Sequence, residues 1–580
     1  MIKPTTETAT QAPKLSKNEG LKETSNFLRG TILEGLADTT TGAISDDDTQ
    51  LTKFHGIYQQ DDRDLRSERR KQKLEKAFIF MVRVRVPGGI CSSEQWLKMD
   101  AIADARANGT LKLTTRQAFQ IHGVLKGELK PAIQDIDRAC LDTIAACGDV
   151  NRNVMCNPNP YTSDAHAQAY ELAKAISAHL TPATRAYHEI WLDGEKVSGG
   201  AEEEEPIYGK TYLPRKFKTV VAVPPSNDVD IFAHCLGFMS IVEDGQVVGY
   251  NVTVGGGMGM SHGKTETYPR LADVLGFCTP EQAVAVSEAV VKVQRDFGDR
   301  TDRKHARLKY TVEDLGLERF RELVETHLDF KLETARPYHF ESNGDLYGWA
   351  DQTNGRQSLT LFIENGRVRD DGKHRVKSGL RAIAEIHDGD FRLTPNQNLI
   401  IGNIDPANRP QIEQLLEDYG IAALQNPTGL RGRSMACVAL PTCGLSLAES
   451  ERYLPRLVDA LDTVVESCGL REEEINIRMT GCPNGCARPY LGEIGFVGKA
   501  PGKYNVYLGA GFAGNRLNKL YRQSVKQEDI VPLLQPILED YAKSRQSGER
   551  FGDFVIRQGY IAASGNGADF HANLPEAVKG

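Results

Sequence analysis

Two close pairs of cysteines in the last third of the chain constrain the fold more than any other feature. The pairs are Cys437 with Cys443, which have five residues between them, and Cys482 with Cys486, which have three. Between the pairs, apolar residues recur at steps of three and four, which predicts a helix that stops at Gly469. Residues 475–479 then alternate apolar and polar side chains and predict a strand. One helix–strand unit can therefore hold both cysteine loops rigidly together.

Two kinds of metal site suit four such cysteines. Structural zinc sites usually have two to four residues between paired cysteines, so the first pair is awkward for zinc. An iron–sulfur cluster takes four thiolates at more varied spacing, and glycine-rich loops let backbone N–H groups reach the sulfur atoms. Disulfides are disfavoured because the N-terminus lacks a secretory signal. The spacing alone leaves a cluster and zinc beside ordinary buried cysteines both open.

The residues around the pairs carry a family resemblance. C-x5-C followed by TGCPNGC resembles the sulfite and nitrite reductases that couple a [4Fe–4S] cluster to siroheme. The resemblance runs from about residue 24 to 560 and includes FHGIYQQDDRD at 54–64 and FGDF at 551–554. The chain is therefore identified as a member of this family. The resemblance implies an α+β fold with three domains around the cofactors.

Two long-range echoes predict an internal duplication. KLTTRQ at 112–117 recurs as RLTPNQ at 392–397, and YNVTVGGG at 250–257 recurs as YNVYLGAG at 504–511. Such distant echoes are not a short-period repeat, and their common order indicates two copies of one module. This agrees with the pseudo-twofold sulfite/nitrite reductase repeat of the family.

The predicted organisation has an N-terminal arm and three domains. These are a partly disordered arm at 1–77, a ferredoxin-like repeat domain of 78–145 with 348–424, a first siroheme-binding domain at 146–347, and a second siroheme- and cluster-binding domain at 425–580. Residues 61–77 carry dense charge of both signs, which suits docking of a partner. A stabilising wrap around the catalytic core is an equally physical alternative for the arm.

The resemblance also implies which residues hold the cofactors. Cys437, Cys443, Cys482 and Cys486 would hold the cluster, and the thiolate of Cys486 would also bind the siroheme iron. Siroheme carries eight carboxylates, whose burial requires matching donors. The residues at family positions near the macrocycle are Lys112, Thr114, Arg116, Gln120, His122 and Asn484. Lys112 keeps the positive charge but lacks the bidentate guanidinium group of the arginine that is expected at this position in some relatives.

Four basic residues match the family positions that bind substrate and deliver protons. They are Arg83, Arg152, Lys216 and Lys218. Lysines suit proton donation because a crowded cationic site lowers their pKa, whereas arginine stays charged. The basic stretch at 299–309 is most simply a solvated loop or helix face. The other cysteines are predicted to be packing residues: Cys91, Cys140, Cys147, Cys156, Cys235, Cys278 and Cys468.

Composition limits the partners and the cellular compartment that we expect for the protein. A net charge of −8 argues against nucleic acid as a partner, and no apolar run has membrane-spanning length. Eleven cysteines without a secretory signal suggest reduced thiols in a cytoplasmic protein.

The function implied by the resemblance is that of the hemoprotein component of an assimilatory sulfite reductase, which reduces sulfite to sulfide with six electrons. Gly255–Gly257 follows a strand but lacks the G-x-G-x-x-G fingerprint, so NADPH would be used indirectly, through a FAD/FMN flavoprotein partner. Alternatives are a ferredoxin-dependent sulfite or nitrite reductase, and a non-catalytic protein stabilised by metal. Lys216-Phe-Lys218 and YQQDDRD disfavour the nitrite enzyme.

Overall fold

The computed structural model describes residues 13–183, 190–192, 195–198 and 205–572, and it confirms the α+β fold. The helices are α1 (Lys17–Thr24), α2 (Ile32–Ala37), α3 (Asp48–Leu51), α4 (Arg66–Lys71), α5 (Ser93–Arg106), α6 (Leu129–Arg138), α7 (Asp164–His179), α8 (Ala283–Phe297), α9 (Leu308–Leu315), α10 (Leu317–Glu325), α11 (Val376–Ile386), α12 (Arg409–Asp418), α13 (Gly429–Gly432), α14 (Leu454–Ser467), α15 (Ile530–Ser544) and α16 (Phe551–Arg557). The helix predicted between the cysteine pairs is α14, and Gly469 follows it with a φ of 69°.

The strands complete the set of regular elements. They are β1 (Ile57–Asp61), β2 (Phe78–Val84), β3 (Ile90–Ser92), β4 (Leu111–Leu113), β5 (Phe119–Val124), β6 (Ile190–Leu192), β7 (Glu195–Ser198), β8 (Thr219–Ala222), β9 (Leu236–Glu243), β10 (Gln246–Val254), β11 (Asp273–Cys278), β12 (Gly348–Asp351), β13 (Gln357–Leu361), β14 (Arg367–Val368), β15 (Asp370–Asp371), β16 (His374–Arg375), β17 (Asp390–Leu393), β18 (Leu399–Ile404), β19 (Ser434–Ala436), β20 (Ile477–Thr480), β21 (Ile494–Ala500), β22 (Lys503–Leu508) and β23 (Lys519–Lys526).

Two five-stranded sheets form one pair of related halves, and each half lends a strand to the other. Their strand orders are β1-β2-β5-β4-β14 and β12-β13-β18-β17-β3. Strand β3 comes from the first half and β14 from the second, so the two sheets share one hydrophobic core. Trp96 and Phe391 stack within that core with their ring centroids 4.7 Å apart. This exchange makes the two halves a single packed body.

A second pair of sheets repeats the same local topology. In the sheet β11-β10-β9-β8, strand β8 is parallel to β9, which is antiparallel to β10. In the sheet β19-β20-β21-β22-β23, strand β20 is parallel to β21, which is antiparallel to β22. The echoed YNV segments begin in β10 and β22, which hold equivalent places. The predicted duplication is confirmed.

The other echo forms two equivalent turns with a structural purpose. Gln117 lies between β4 and β5 with φ 50°, and Gln397 lies between β17 and β18 with φ 72°. The side chain of Gln117 accepts a hydrogen bond from the Cys156 N–H (3.1 Å), and that of Gln397 accepts one from the Ala436 N–H (3.1 Å). Each glutamine therefore ties its sheet to the chain that enters the neighbouring sheet.

The N-terminal segment packs on the first five-stranded sheet and on the segment that precedes β8. Strand β1 pairs with β2, Phe54 is buried against Tyr212, and the Lys22 ammonium donates to the Leu213 carbonyl (2.8 Å). Helix α4, by contrast, has no buried residue. The partner-docking role of the arm stays a prediction. Within the described residues, every helix is too short or too polar to cross a bilayer.

The eleven cysteines are all unpaired thiols. Of the seven that were predicted to be packing residues, five are buried and Cys468 is half-buried, but Cys140 is exposed. Packing is therefore the wrong interpretation for Cys140, because the chain turns outward after α6 with a positive φ at this residue.

Candidate functional site

A cavity of about 750 Å³ lies where the β4–β5 turn, segment 215–218 and the two cysteine loops meet. All fourteen predicted site residues line it: Arg83, Lys112, Thr114, Arg116, Gln120, His122, Arg152, Lys216, Lys218, Cys437, Cys443, Cys482, Asn484 and Cys486. Among the described residues, eleven lysines and arginines line this cavity, whereas the acidic residues that line it are two, Asp46 and Asp149. Such an excess of positive charge suits an anionic occupant.

Parallel pairing of two strands brings the cysteine pairs together. Strand β19 ends at Ala436, immediately before Cys437, and β20 ends shortly before Cys482. Because β19 and β20 are parallel, both cysteine loops leave the sheet at the carboxyl ends of these strands. The Gly481 N–H donates to the Cys437 Sγ (3.3 Å), and the Asn484 Nδ2 donates to the Cys482 Sγ (3.4 Å). The turn thus points donors at sulfur.

The four thiols fit the donor set of an iron–sulfur cluster. Burial raises the pKa of Cys437, Cys443 and Cys482, to about 12 for Cys443, and the neighbouring sulfur atoms raise these pKa values further. Thiolates can persist here only with a compensating positive charge, which a cluster supplies. Among the residues that the structure describes, no three His, Cys, Asp or Glu side chains are grouped for one metal ion.

Buried donors without partners face the space that the expected siroheme needs. His122 Nδ1, Arg116 Nε and Arg152 Nε are buried and make no hydrogen bond within the described residues. Burial lowers the pKa of His122 well below its usual value and that of Arg116 to about 9. Buried polar groups normally have partners, and the carboxylates of a tetrapyrrole would provide them. The lining therefore fits siroheme.

Lys112 differs from the other residues expected at the macrocycle. Its ammonium donates to the Glu451 carboxylate (2.8 Å) and to the Asn365 carbonyl. Although burial acts in the opposite direction, Arg367 and Lys112 hold the pKa of Glu451 well below its usual range. Lys112 thus lines the cavity with its charge already neutralised by Glu451. Thr114 also bonds within the protein, since its hydroxyl accepts from the Ala118 N–H (3.2 Å).

Arg83 is held at the cavity wall by two contacts. Its Nη1 donates to the Cys147 Sγ (2.8 Å). Its Nε donates to the Gln120 side-chain oxygen (3.0 Å) in the amide orientation that satisfies both groups. On the neighbouring segment, Arg152 Nη2 donates to the Gly148 carbonyl (3.3 Å). Both guanidinium groups are therefore fixed in direction before any anion binds.

Lys216 and Lys218 are two residues apart on the segment that leads into β8, and both line the cavity. Burial lowers the pKa of each well below its usual value. Neighbouring cations lower it further, mainly Arg307 for Lys216 and Arg116 for Lys218. These directions agree with the expectation for a crowded cationic site.

Several residues near this cavity were missed from the sequence. A solvated surface is the wrong interpretation for the end of segment 299–309, where Arg307 is 8% exposed and Lys309 0%. The Lys309 ammonium donates to the carbonyls of Gly259 (2.8 Å) and Tyr268. The one sequence signal is that this basic run leads directly into the apolar helix α9. Tyr58, Arg215, Arg303 and Arg488 also line the cavity and were missed.

The chain was compared with known protein families. It matches the family described as "Nitrite and sulphite reductase 4Fe-4S domain" over residues 171–332 and 470–562. It also matches the "Nitrite/Sulfite reductase ferredoxin-like half domain" over 71–139 and 350–419. Each family thus occurs twice, in alternation along the chain. The exact domain boundaries stay a prediction.

Curated relatives and one solved structure extend over nearly the whole chain. A "Sulfite reductase [NADPH] hemoprotein beta-component" of Staphylococcus saprophyticus is 57% identical over 560 residues, which is 96% of this chain and 98% of the relative. A protein of the same name from Bacillus pumilus is 58% identical over 565 residues, covering 97% and 99%. The structure of the Mycobacterium tuberculosis NirA protein superposes with a TM-score of 0.76 at 26% identity, covering 95% of this chain and 97% of that one.

Proposed function

The chain belongs to the family of NADPH sulfite reductase hemoprotein beta-components, and from that membership we propose roles for the residues of its cavity. The protein is an oxidoreductase that reduces sulfite to sulfide in sulfur assimilation, and its cofactors are siroheme and one [4Fe–4S] cluster. We assign the reaction to the cation-rich cavity. The observation that carries this assignment is that all fourteen predicted site residues line it together.

The four cysteine thiolates would hold the cluster, and Cys486 would also serve the siroheme iron. Cys486 is the exposed member of the set and lines the open cavity, as a shared ligand must. When bound, the two coupled centres supply single electrons to the substrate sulfur. Arg116, Gln120, His122 and Asn484 would orient the macrocycle through its carboxylates, with the neutral His122 able to donate from its unpartnered nitrogen.

The basic residues would divide substrate binding from proton supply. Arg83 and Arg152 carry guanidinium groups that would hold the sulfite oxygens, which carry the negative charge. Each oxygen leaves as water and needs protons. Lys216 and Lys218, whose pKa values are lowered by burial and by neighbouring cations, would donate these protons more readily than ordinary lysines. Their positive environment would also favour the bound anion over the free one.

Electrons would reach this chain from a FAD/FMN flavoprotein subunit that oxidises NADPH. The relatives carry NADPH in their names, while this sequence has no dinucleotide fingerprint. The reaction would take place in the cytoplasm, where the eleven thiols stay reduced. The second candidate is a ferredoxin-dependent sulfite or nitrite reductase, which the same cavity chemistry also suits.

Purified protein tests this proposal directly. We expect iron, acid-labile sulfide and an isobacteriochlorin spectrum, and sulfite reduction by reduced methyl viologen. NADPH alone should not support turnover, and added flavoprotein should restore it. Zinc without colour would remove the enzymatic function. Turnover with ferredoxin but not with flavoprotein, or a preference for nitrite, would favour the second candidate.

A further inference from the structure

The N-terminal segment closes one side of the cavity although no site residue was predicted in it. Leu21 of α1, Lys53 and Tyr58 line the same space as Arg83 and Arg152. Lys53 is only half-buried, and the lining continues from it through Asn18 and Asp46 to the exposed surface. Lys53 therefore lies on the solvent side of the inner basic residues.

Cations outnumber carboxylates at this outer end. Asp149 accepts two hydrogen bonds from Arg303 (2.8 and 3.1 Å), and Glu19 pairs with Lys22 (2.6 Å). Arg215 lies 3.9 Å from an Asp149 oxygen that Arg303 already uses. Asp149 and Glu19 are thus occupied by other cations, which leaves the exposed Asp46 as the third carboxylate of this end. Arg215 has only a weak share of Asp149.

The two direct contacts of the Lys53 ammonium are with uncharged side chains. Its ammonium donates to the Gln50 side-chain oxygen (2.6 Å) and lies 5.7 Å from the centroid of the Tyr58 ring. Among the described residues, no carboxylate lies within ion-pair distance of it. Burial lowers the pKa of Lys53 to about 8, with Arg215 and Arg303 opposing the attraction of Asp149. Lys53 is thus a half-buried cation without a carboxylate at ion-pair distance, and a bound anion would offset the cost of its partial desolvation.

We propose that Lys53 and Arg215 form an outer station for small oxyanions, through which sulfite reaches the inner basic residues. This inference rests on the proposed function of the cavity. Arg215 directly precedes Lys216, and Asp149 lies three residues before Arg152, so the outer and inner groups share two chain segments. An anion that leaves Lys53 therefore stays in a cavity lined by further lysine and arginine residues, which raises its local concentration and speeds capture.

The test compares three variants of the holoenzyme, each first checked for siroheme and iron content. Lys53→Met removes the outer charge, Lys53→Arg keeps it, and Lys17→Met is the matched control. Lys17 lies on the same segment, but it is exposed, pairs with Asp47 (2.7 Å) and does not line the cavity. With reduced methyl viologen, Lys53→Met should raise the KM for sulfite about five-fold, with a smaller effect on kcat.

Three further results are expected if Lys53 acts through its charge. Lys53→Arg should restore the KM, the monoanion nitrite should respond less than sulfite, and added salt should affect Lys53→Met less than the wild type. A KM for Lys53→Met equal to that of Lys17→Met would overturn the proposal. A protein that reduces no sulfite at all would instead remove the proposed function.

A second measurement does not depend on activity. Crystals of the wild-type holoenzyme soaked in selenate should show an anomalous selenium peak within hydrogen-bond reach of Lys53 Nζ and the Arg215 guanidinium. The peak should be lost in Lys53→Met and retained in Lys17→Met. Selenate at the inner basic residues alone would refute an outer station.

Discussion

Asp230 offers the sharpest test of how charge holds the two repeats together. Its carboxylate is fully buried and accepts from Arg478 Nη1 (2.6 Å), Asn343 Nδ2 (2.7 Å) and the Nε of Arg488. Asp230 directly precedes the short 3-10 helix Ile231–Ala233, and Arg488 directly precedes the equivalent helix Pro489–Leu491 of the other repeat. Both residues have left-handed backbone conformations. One carboxylate thus neutralises two buried guanidinium groups from the opposite repeat.

The variant Asp230→Asn keeps the shape and removes the charge. Breaking a buried ion pair by removing one partner costs about 3–5 kcal/mol, since an uncompensated charge stays behind. Arg488 keeps its bonds to the carbonyls of Thr115 and Pro395 (3.0 Å each), so Arg478 would bear most of the loss. For a cooperative unit of 150–250 residues, this cost corresponds to a fall in Tm of roughly 6–20 °C.

The assay is thermal unfolding of the holoenzyme at neutral pH, with Asp553→Asn as the control. Asp553 pairs with Arg516 at the surface, where its side chain is 52% exposed, and loss of such a pair costs below about 1 kcal/mol. Burial would raise the pKa of Asp230, but Arg478 and Arg488 hold it below its usual value. The stabilisation that Asp230 provides is therefore present above about pH 4 and lost on further acidification. Below about pH 4 the Tm values of the wild type and of Asp230→Asn should therefore converge. Equal Tm values for the two variants at neutral pH would refute this reasoning.

Three further outcomes follow from the site. Cys486→Ser should lose both cluster iron and the siroheme spectrum, because one thiolate would serve two metals; a normal iron content and spectrum would contradict that assignment. Lys216→Met and Lys218→Met should keep both cofactors but lower kcat for sulfite about 100-fold or more, the usual effect of losing a proton donor, and unchanged kinetics would argue against that role. Glu451→Gln should lower the free energy of unfolding by about 3–5 kcal/mol, because Lys112 would stay buried without its counter-ion, and a change below 1 kcal/mol in denaturant melts would contradict this.

Local patterns made part of the site predictable. The strand predicted at 475–479 is β20, which ends shortly before Cys482, whereas its parallel pairing with β19 was not predicted. The alternation of Lys216 and Lys218 predicted one common direction for both side chains, and both line the cavity. The two glutamine turns also marked the duplication. The side-chain oxygen of Gln117 accepts from the Cys156 N–H, and that of Gln397 accepts from the Ala436 N–H.

Residues whose burial depends on distant partners could not be predicted. Lys309 is enclosed by carbonyls of the 257–268 loop, and Lys53 lies in the cavity because β1 pairs with β2. In the sequence, both resemble ordinary surface lysines, since nothing local distinguishes them. The exposure of Cys140 was missed for the converse reason: free cysteines are usually buried, but this one occupies an outward turn.

The two repeats carry different charged residues at equivalent positions. Lys218 directly precedes β8, and the residue that directly precedes the equivalent strand β20 is Asn476; two positions further back, Lys216 corresponds to Glu474. In the second repeat Glu474 accepts from Arg433 (3.1 Å). The counterpart of Lys112 is Arg392, which is fully buried and paired with Asp390.

The backbone is therefore shared while the charge balance is not. Where carboxylates accompany the arginines, they neutralise them, as Glu474 does for Arg433 and Asp390 does for Arg392. Where the carboxylates are absent, as beside Lys216 and Lys218, the cations remain short of counter-ions and an external dianion can take that place. Because buried charge without a partner is costly to the fold, its retention beside Lys216 and Lys218 supports the proposal that an anion binds there.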